Sequence, residues 1–479
     1  MRLSAQILTE DEQHRIHTMS LRILEQVGIR FHGGKAPKIL RENGIKINPE
    51  DKIAKLPPEL IHQALKTAPK SFILGARNPA YNISLPTPFT RYGIDGTAAF
   101  AQDFHTGERR YGTSKDIENA LRIFQHMDMG VMAWAPTCAE DIPANIRALY
   151  EFLSMARYSS KHGEHELHRV GQVPYLVEGL IAIMGSEEAL RSSNAYSLIY
   201  CPVAPLTHDG QMLDAYLELG EVGLPIMSMP MPVTGTTGPA SLFSNIALAN
   251  AEMLSSLVIF QLAHPGRPMI FSSSTGTVDF RSGAYLAGVP EMALQTAALT
   301  VMGKYYGFPT GGAGFTSDAM QAGPEAVIEK LITTLPAVLA GADILVGFGE
   351  IESDQLLILE QIVVDNEIAH ICQRLAEGVD SSVEKEYFED IAHVGPGGHF
   401  LGTKNTRKAA RSTEFFTPKL VNHLSYESWV SLGKPSMYKK AREEVADILE
   451  QPLVDPLSDD VCEKLDRILR KAEKEIPER

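Results

Sequence analysis

Between residues 115 and 430, short apolar runs alternate with longer helical patterns at a spacing of roughly 30–40 residues. This beat constrains the fold more than any other feature of the chain. The runs are MGVMAWAPT (129–137), ARYSSKHGE (156–164), NAYSLIYCP (194–202), GLPIMSMPMP (223–232), RPMIFSSST (267–275), YGFPTGGAG (306–314) and ADILVGFGE (342–350). Several are apolar throughout, without strict alternation, as expected of strands buried on both faces. Helical stretches lie between them, among them LFSNIALANAEMLSSLVIFQL behind Ser241 and the Pro324-led EAVIEKLITTLPAVLAG. Seven strand–helix units predict an α/β fold, a (β/α)8 TIM barrel with one strand still unplaced. An open doubly wound sheet is the alternative, but no GxGxxG follows the first strand.

The flanks read differently. In residues 1–114, Thr9 and Glu12 form a capping box ahead of a helix whose apolar positions are Ile16, Met19, Ile23, Leu24 and Val27. A second helix begins at Pro57-Pro58-Glu59, and a Gly-, Pro- and Thr-rich stretch after it predicts short strands and hairpins. This gives a mixed α+β cap region, followed by a barrel over 115–430 and a helical C-terminal extension over 431–479. The net charge of −15 disfavours nucleic acid as a partner. No apolar run approaches the ~20 residues of a membrane span. The N-terminus lacks the pattern of a signal peptide. Cys138, Cys201, Cys372 and Cys462 are scattered, without a CxxC pair, which fits a reduced cytoplasm and offers no zinc motif.

In a barrel the chemistry sits at the C-terminal strand ends. Those ends carry aromatics, a cluster of methionines (Met227, Met229, Met231) and carboxylates. Aromatic faces with nearby carboxylates suit a quaternary ammonium, which donates no hydrogen bond and is held by ring faces. Tyr92, Trp134, Phe315 and Phe348 are the cage candidates, with Glu350 as counter-charge; each ring is equally at home in barrel packing. Lys161 at a strand end opens a lyase or aldolase reading through a Schiff base. HGEHELH (162–168) would set His162 and His165 on one helix face, without the further ligands a metal needs. VTGTTGPAS (233–241) is a weak anion-binding loop, and GPGGHF (395–400) a tight turn that presents His399.

LRILEQVGIRFH, LPPELIHQALKTAPKSFILGARNP, GAGFTSDAMQAGPEA, IVVDNEI and GPGGHFL, in that order, resemble the trimethylamine methyltransferase superfamily. The resemblance implies a TIM-barrel methyltransferase that moves a methyl group from an amine to the cob(I)alamin of a separate corrinoid protein. Trimethylamine enzymes of that family carry pyrrolysine in the loop that here reads SDAMQAGPE (317–325), with standard residues only. This departure points to the non-pyrrolysine branch and to a quaternary amine, glycine betaine above all. On that reading Asp318 joins Glu350 in supplying charge. Gln321 and His399 bind the substrate carboxylate or line the corrinoid entrance. No bound metal is expected, and a homo-oligomer is. A non-catalytic betaine-binding subunit is the remaining alternative.

Overall fold

The computed structural model describes residues 3–478. Eight parallel strands close a barrel: β1 (Arg91–Ile94), β2 (Gly130–Ala133), β3 (His162–His165), β4 (Tyr196–Tyr200), β5 (Ile226–Ser228), β6 (Met269–Phe271), β7 (Gly311–Ala313) and β8 (Ile344–Phe348). Each strand pairs with its neighbours in sequence, β8 pairs with β1, and a bridge between Phe271 and Thr310 joins β6 to β7. A helix follows each strand: α1 (Ser114–His126), α2 (Arg147–Tyr158), α3 (Val173–Met184), α4 (Gly210–Leu219), α5 (Leu242–Ala263), α6 (Pro290–Tyr305), α7 (Pro324–Ala340) and α8 (Leu359–Glu377).

The strand missing from the sequence beat is β1. It lies inside the stretch assigned to the cap, so the barrel begins at Arg91 and not at 115. The run 156–164 is also corrected. Its first residues finish α2, and the strand begins only at His162. The histidines of HGEHELH therefore alternate across a strand and do not share a helix face. His162 meets the Gly75 carbonyl and Ser197, while His165 turns outward to Glu151 of α2.

The hairpin Phe72–Leu74/Ile83–Leu85 and the residues around Gly75 sit at the N-terminal end of the barrel. There the Gly75 amide donates to Asn194 and the Asn78 amide to Ser160. The helix Glu10–Arg22 packs on the outside of α5, with Ser20 Oγ donating to the Ala247 carbonyl at 2.8 Å. That cover explains why α5 is apolar all round. Among the described residues it is the one helix long and apolar enough to cross a bilayer, a length the sequence reading missed; most of it is buried within the protein. At the other end, Met437–Glu450 packs on α8 and α1, and Asp459–Glu475 on α3 and α2. All four cysteines are free thiols.

The pairing of β8 with β1 slips between Val346 and Phe348, a bulge centred on Gly347. Gly347 has φ +146°, and a Cβ there would lie 1.7 Å from the Gly314 carbonyl oxygen. Gly347→Ala is expected to destabilise the fold by about 3 kcal/mol or more, read as a lowered midpoint in chemical denaturation.

Candidate active site at the barrel mouth

The strand ends enclose a cavity of about 280 Å³ at the C-terminal face. Asp95 and Gly96 follow β1, Trp134 follows β2, Met229 and Met231 follow β5, and Ser274 follows β6. Ala313 and Val346 form its floor from β7 and β8, and Tyr285 and Asp354 close it from the loops. Tyr285 belongs to a hairpin, Thr277–Val278/Tyr285–Leu286, that leans over the cavity from the β6 loop.

Of the four expected cage rings, Trp134 alone lines this cavity. Strand alternation explains the others. Gly93 faces the lumen, where an added Cβ would meet Val346 Cγ1 at 2.8 Å, so Tyr92 faces out. The bulge at Gly347 turns Phe348 to the same side. Tyr92, Phe315 and Phe348 pack on one another at ring separations of 5.3, 5.8 and 4.8 Å, and Phe348 reaches Phe124 of α1. These rings form a seam between barrel and helices, where Phe315 adopts φ +53°. Trp134 is 3 % exposed, and its Nε1–H has no partner.

Glu350, expected as a counter-charge, lies just behind the cavity lining and has company that the sequence does not reveal. Oxygens of Asp95, Glu350 and Asp354 lie within 4.8 Å of one another. A small sheet at the mouth holds them: Glu350–Ile351 pairs with Leu356–Leu357, which pairs with Phe100–Gln102. The turn between has three successive left-handed residues, Glu352, Ser353 and Asp354, at φ +60°, +52° and +63°. Such backbone is costly for side-chain-bearing residues and persists where neighbours enforce it. Arg109 clamps Glu352 at 2.9 and 3.2 Å, and Ser353 Oγ donates to Asp318 at 2.7 Å.

Both Glu350 oxygens and Asp354 Oδ1 lack a hydrogen bond of full geometry. Burial pushes Asp95 up to about 8, helped by the nearby Asp354 carboxylate. Burial likewise pushes Asp354 up to about 6 and Glu350 well above the carboxylate range. Asp95 Oδ1 accepts from the Gly96 amide at 3.0 Å, and three crowded, buried acids with so few donors resist ionising until a positive charge arrives. The trio could hold a metal ion or an organic cation.

Asp318 Oδ1 accepts from the Ala287 amide at 2.8 Å and from Ser353 Oγ at 2.7 Å, so Asp318 braces the turn without lining the cavity. Gln321 is exposed on the β7–α7 loop, and His399 is exposed in the segment after α8; neither lines the cavity. Lys161 stands at the N-terminal end of β3, away from the mouth. Its Nζ donates to the carbonyls of Phe124 at 2.8 Å and Met127 at 2.6 Å, which leaves no Schiff-base site at the mouth. VTGTTGPAS serves as the β5–α5 connection, where Thr234 and Asn245 both donate to Gln295.

Lys330 of α7 supports the mouth from behind. Its buried Nζ donates to the carbonyls of Phe315 at 2.6 Å and Gly347 at 3.1 Å, and to Asp365 of α8 at 3.0 Å. It thus pins both irregular strand ends. Lys330→Met is expected to cost about 3–5 kcal/mol, because Asp365 is left buried and unpaired. Adding Asp365→Leu is expected to recover part of that loss in urea denaturation, since the stranded charge is then gone.

A family model described as "Trimethylamine methyltransferase (MTTB)" matches residues 3–477. The chain belongs to the trimethylamine methyltransferase family. As a member of that family it is a methyltransferase. Glycine betaine methyltransferase of Desulfitobacterium hafniense (strain Y51) is 30 % identical over 478 residues, covering 98 % of each chain. Trimethylamine methyltransferase MttB of Methanosarcina barkeri is 29 % identical over 476 residues, covering 98 % of this chain and 95 % of that one. The crystal structure of the Methanosarcina barkeri monomethylamine methyltransferase (MtmB) matches at a TM-score of 0.52 and 11 % identity, over 98 % of this chain and 88 % of that one. This likeness shows a shared barrel fold.

Proposed function

We propose that the barrel mouth binds the alkylated head of a quaternary amine and presents one N-methyl group to the reduced corrinoid of a separate protein. The carboxylate trio beside Trp134 carries this reading. A permanently charged nitrogen pairs without hydrogen bonds with Asp95 and Asp354 of the cavity wall, which Glu350 backs from behind the lining, and its methyl groups pack on Trp134, Met229 and Met231. The names of the relatives support it, since both trimethylamine and glycine betaine are N-methyl compounds.

The chemistry asks little more of the protein. A quaternary nitrogen leaves as a neutral tertiary amine, so no acid or metal is needed to activate it. The chain's residues hold the head, orient one methyl group toward the open end and keep water out. A reduced corrinoid, when docked, supplies the nucleophile. The rim fits a broad apolar visitor: Val203, Met231, Phe280 and Met320, from the loops after β4 to β7, are all exposed apolar residues. We place the reaction in the cytoplasm, where free thiols and a reduced acceptor survive together.

Binding tests the head group directly. Tetramethylammonium is expected to change the fluorescence of Trp134 and to bind at least about tenfold tighter than neutral tert-butanol. Equal binding of the two would remove the cation from the account.

In the same reading a second copy of the chain covers the segment 379–435. Phe388, Leu401 and Tyr426 are 70, 79 and 68 % exposed there. Residues 380–390 carry five acids and one base, and 404–411 four bases and no acid. Two such segments are self-complementary about a two-fold axis. Sedimentation is expected to show a dimer or larger assembly that Leu401→Asp dissociates; a monomeric wild type would contradict it.

A further inference from the structure

We infer that the substrate's tail carries no carboxylate, and that this member takes a choline-type quaternary ammonium in place of an amino-acid betaine. The inference rests on the quaternary-amine reading above and narrows it. A betaine brings an anion within a few ångströms of its nitrogen, and that anion needs a cationic partner in a buried site.

Among the described residues, no Lys, Arg or His lines the cavity. Two basic groups that support the mouth are already committed. Lys330 is fully buried on two carbonyls and Asp365. Arg109 is clamped on Glu352 outside the cavity, over the face of Phe100 at 3.5 Å. The groups expected to receive a carboxylate, Gln321 and His399, are exposed elsewhere.

What the cavity does offer a tail is neutral or acidic. Trp134 Nε1–H is unpartnered, and Ser274 and Tyr285 place hydroxyls at the wall. These suit a hydroxyl or ether oxygen. A carboxylate would instead stand beside Asp95 and Asp354 of the wall, with Glu350 within 4.8 Å of both, and would worsen the repulsion among them. The acids that welcome the head therefore reject the betaine tail, which is selection by repulsion as well as attraction.

Choline and glycine betaine share the trimethylammonium head and differ in the tail, so they test the point cleanly. Calorimetric titration of the full-length protein at pH 8 is expected to give choline at least about tenfold tighter binding than glycine betaine. In Asp95→Asn/Glu350→Gln the gap is expected to shrink to about threefold or less, with choline weakened and betaine strengthened. Betaine binding as tightly as choline, while tetramethylammonium also binds, would overturn this inference and leave the head-group reading standing. Failure of all three ligands to bind would overturn both.

Discussion

Trp134→Ala is expected to lower kcat/KM for a quaternary amine by about a hundredfold. A desolvated cation–ring contact is worth about 2 kcal/mol, and each 1.4 kcal/mol is a factor of ten. The emptied space also admits water beside the methyl group, which adds to the loss. Trp134 is the one cage ring that the barrel turns inward. Tyr92→Leu and Phe348→Leu, in the seam behind the strands, are expected to lower the melting temperature and leave KM near its wild-type value. Trp134→Phe keeps a ring face and is expected to recover most of the activity. A structural role alone would not give that split. The chain has two tryptophans, so loss of the ligand-dependent fluorescence change in Trp134→Phe assigns the signal.

The second large effect is in pH. Asp95 and Asp354 are pushed up to about 8 and about 6 by burial, and Glu350 is pushed well above the ordinary carboxylate range. A bound cation favours their ionised forms, so binding releases protons. Affinity for tetramethylammonium is therefore expected to rise between about pH 6 and about 8, by up to tenfold per unit where one proton is released. Trimethylamine-like bases gain their own charge by protonation and would show the opposite limb above their pKa. For stability the sign is reversed. The folded protein holds protons that the unfolded carboxylates give up near pH 4, so stability falls as pH rises through the folded values. Added tetramethylammonium is expected to offset that fall. Asp95→Asn removes part of the pH dependence of both quantities. Affinity that is flat from pH 6 to 8 would mean that the trio does not face the ligand.

The sequence made most of the barrel legible and only part of the mouth. Short runs at the repeat spacing marked seven strands, several of them continuously apolar because both of their faces are buried. Arg91–Ile94 escaped because it is four residues long and follows a Pro-rich turn with no preceding helix of the repeat. Its loss hid Asp95, the next residue. Trp134 was legible as an aromatic at a strand end. Phe348 was not, since one bulge at Gly347 reverses its face and nothing in the composition of GFGE announces a bulge. Glu350 could be named as a strand-end acid. Asp354 reaches the site only through three left-handed residues, a conformation that Glu-Ser-Asp does not prefer and that the Arg109–Glu352 pair and Asp318 impose. Asp318, expected to supply charge, instead braces the turn that carries Asp354. Gln321 and His399 followed from the resemblance, and the loops that carry them turn to solvent.

The central claim is that a permanent positive charge on the substrate nitrogen lets geometry suffice for methyl transfer. Anaerobic loss of the cob(I)alamin absorbance in the presence of the purified protein tests it most directly. Tetramethylammonium and choline are expected to discharge the signal at a rate proportional to protein, with Trp134→Ala near background. Trimethylamine is expected to leave it unchanged. Turnover of trimethylamine with no reaction of either quaternary compound would contradict the account.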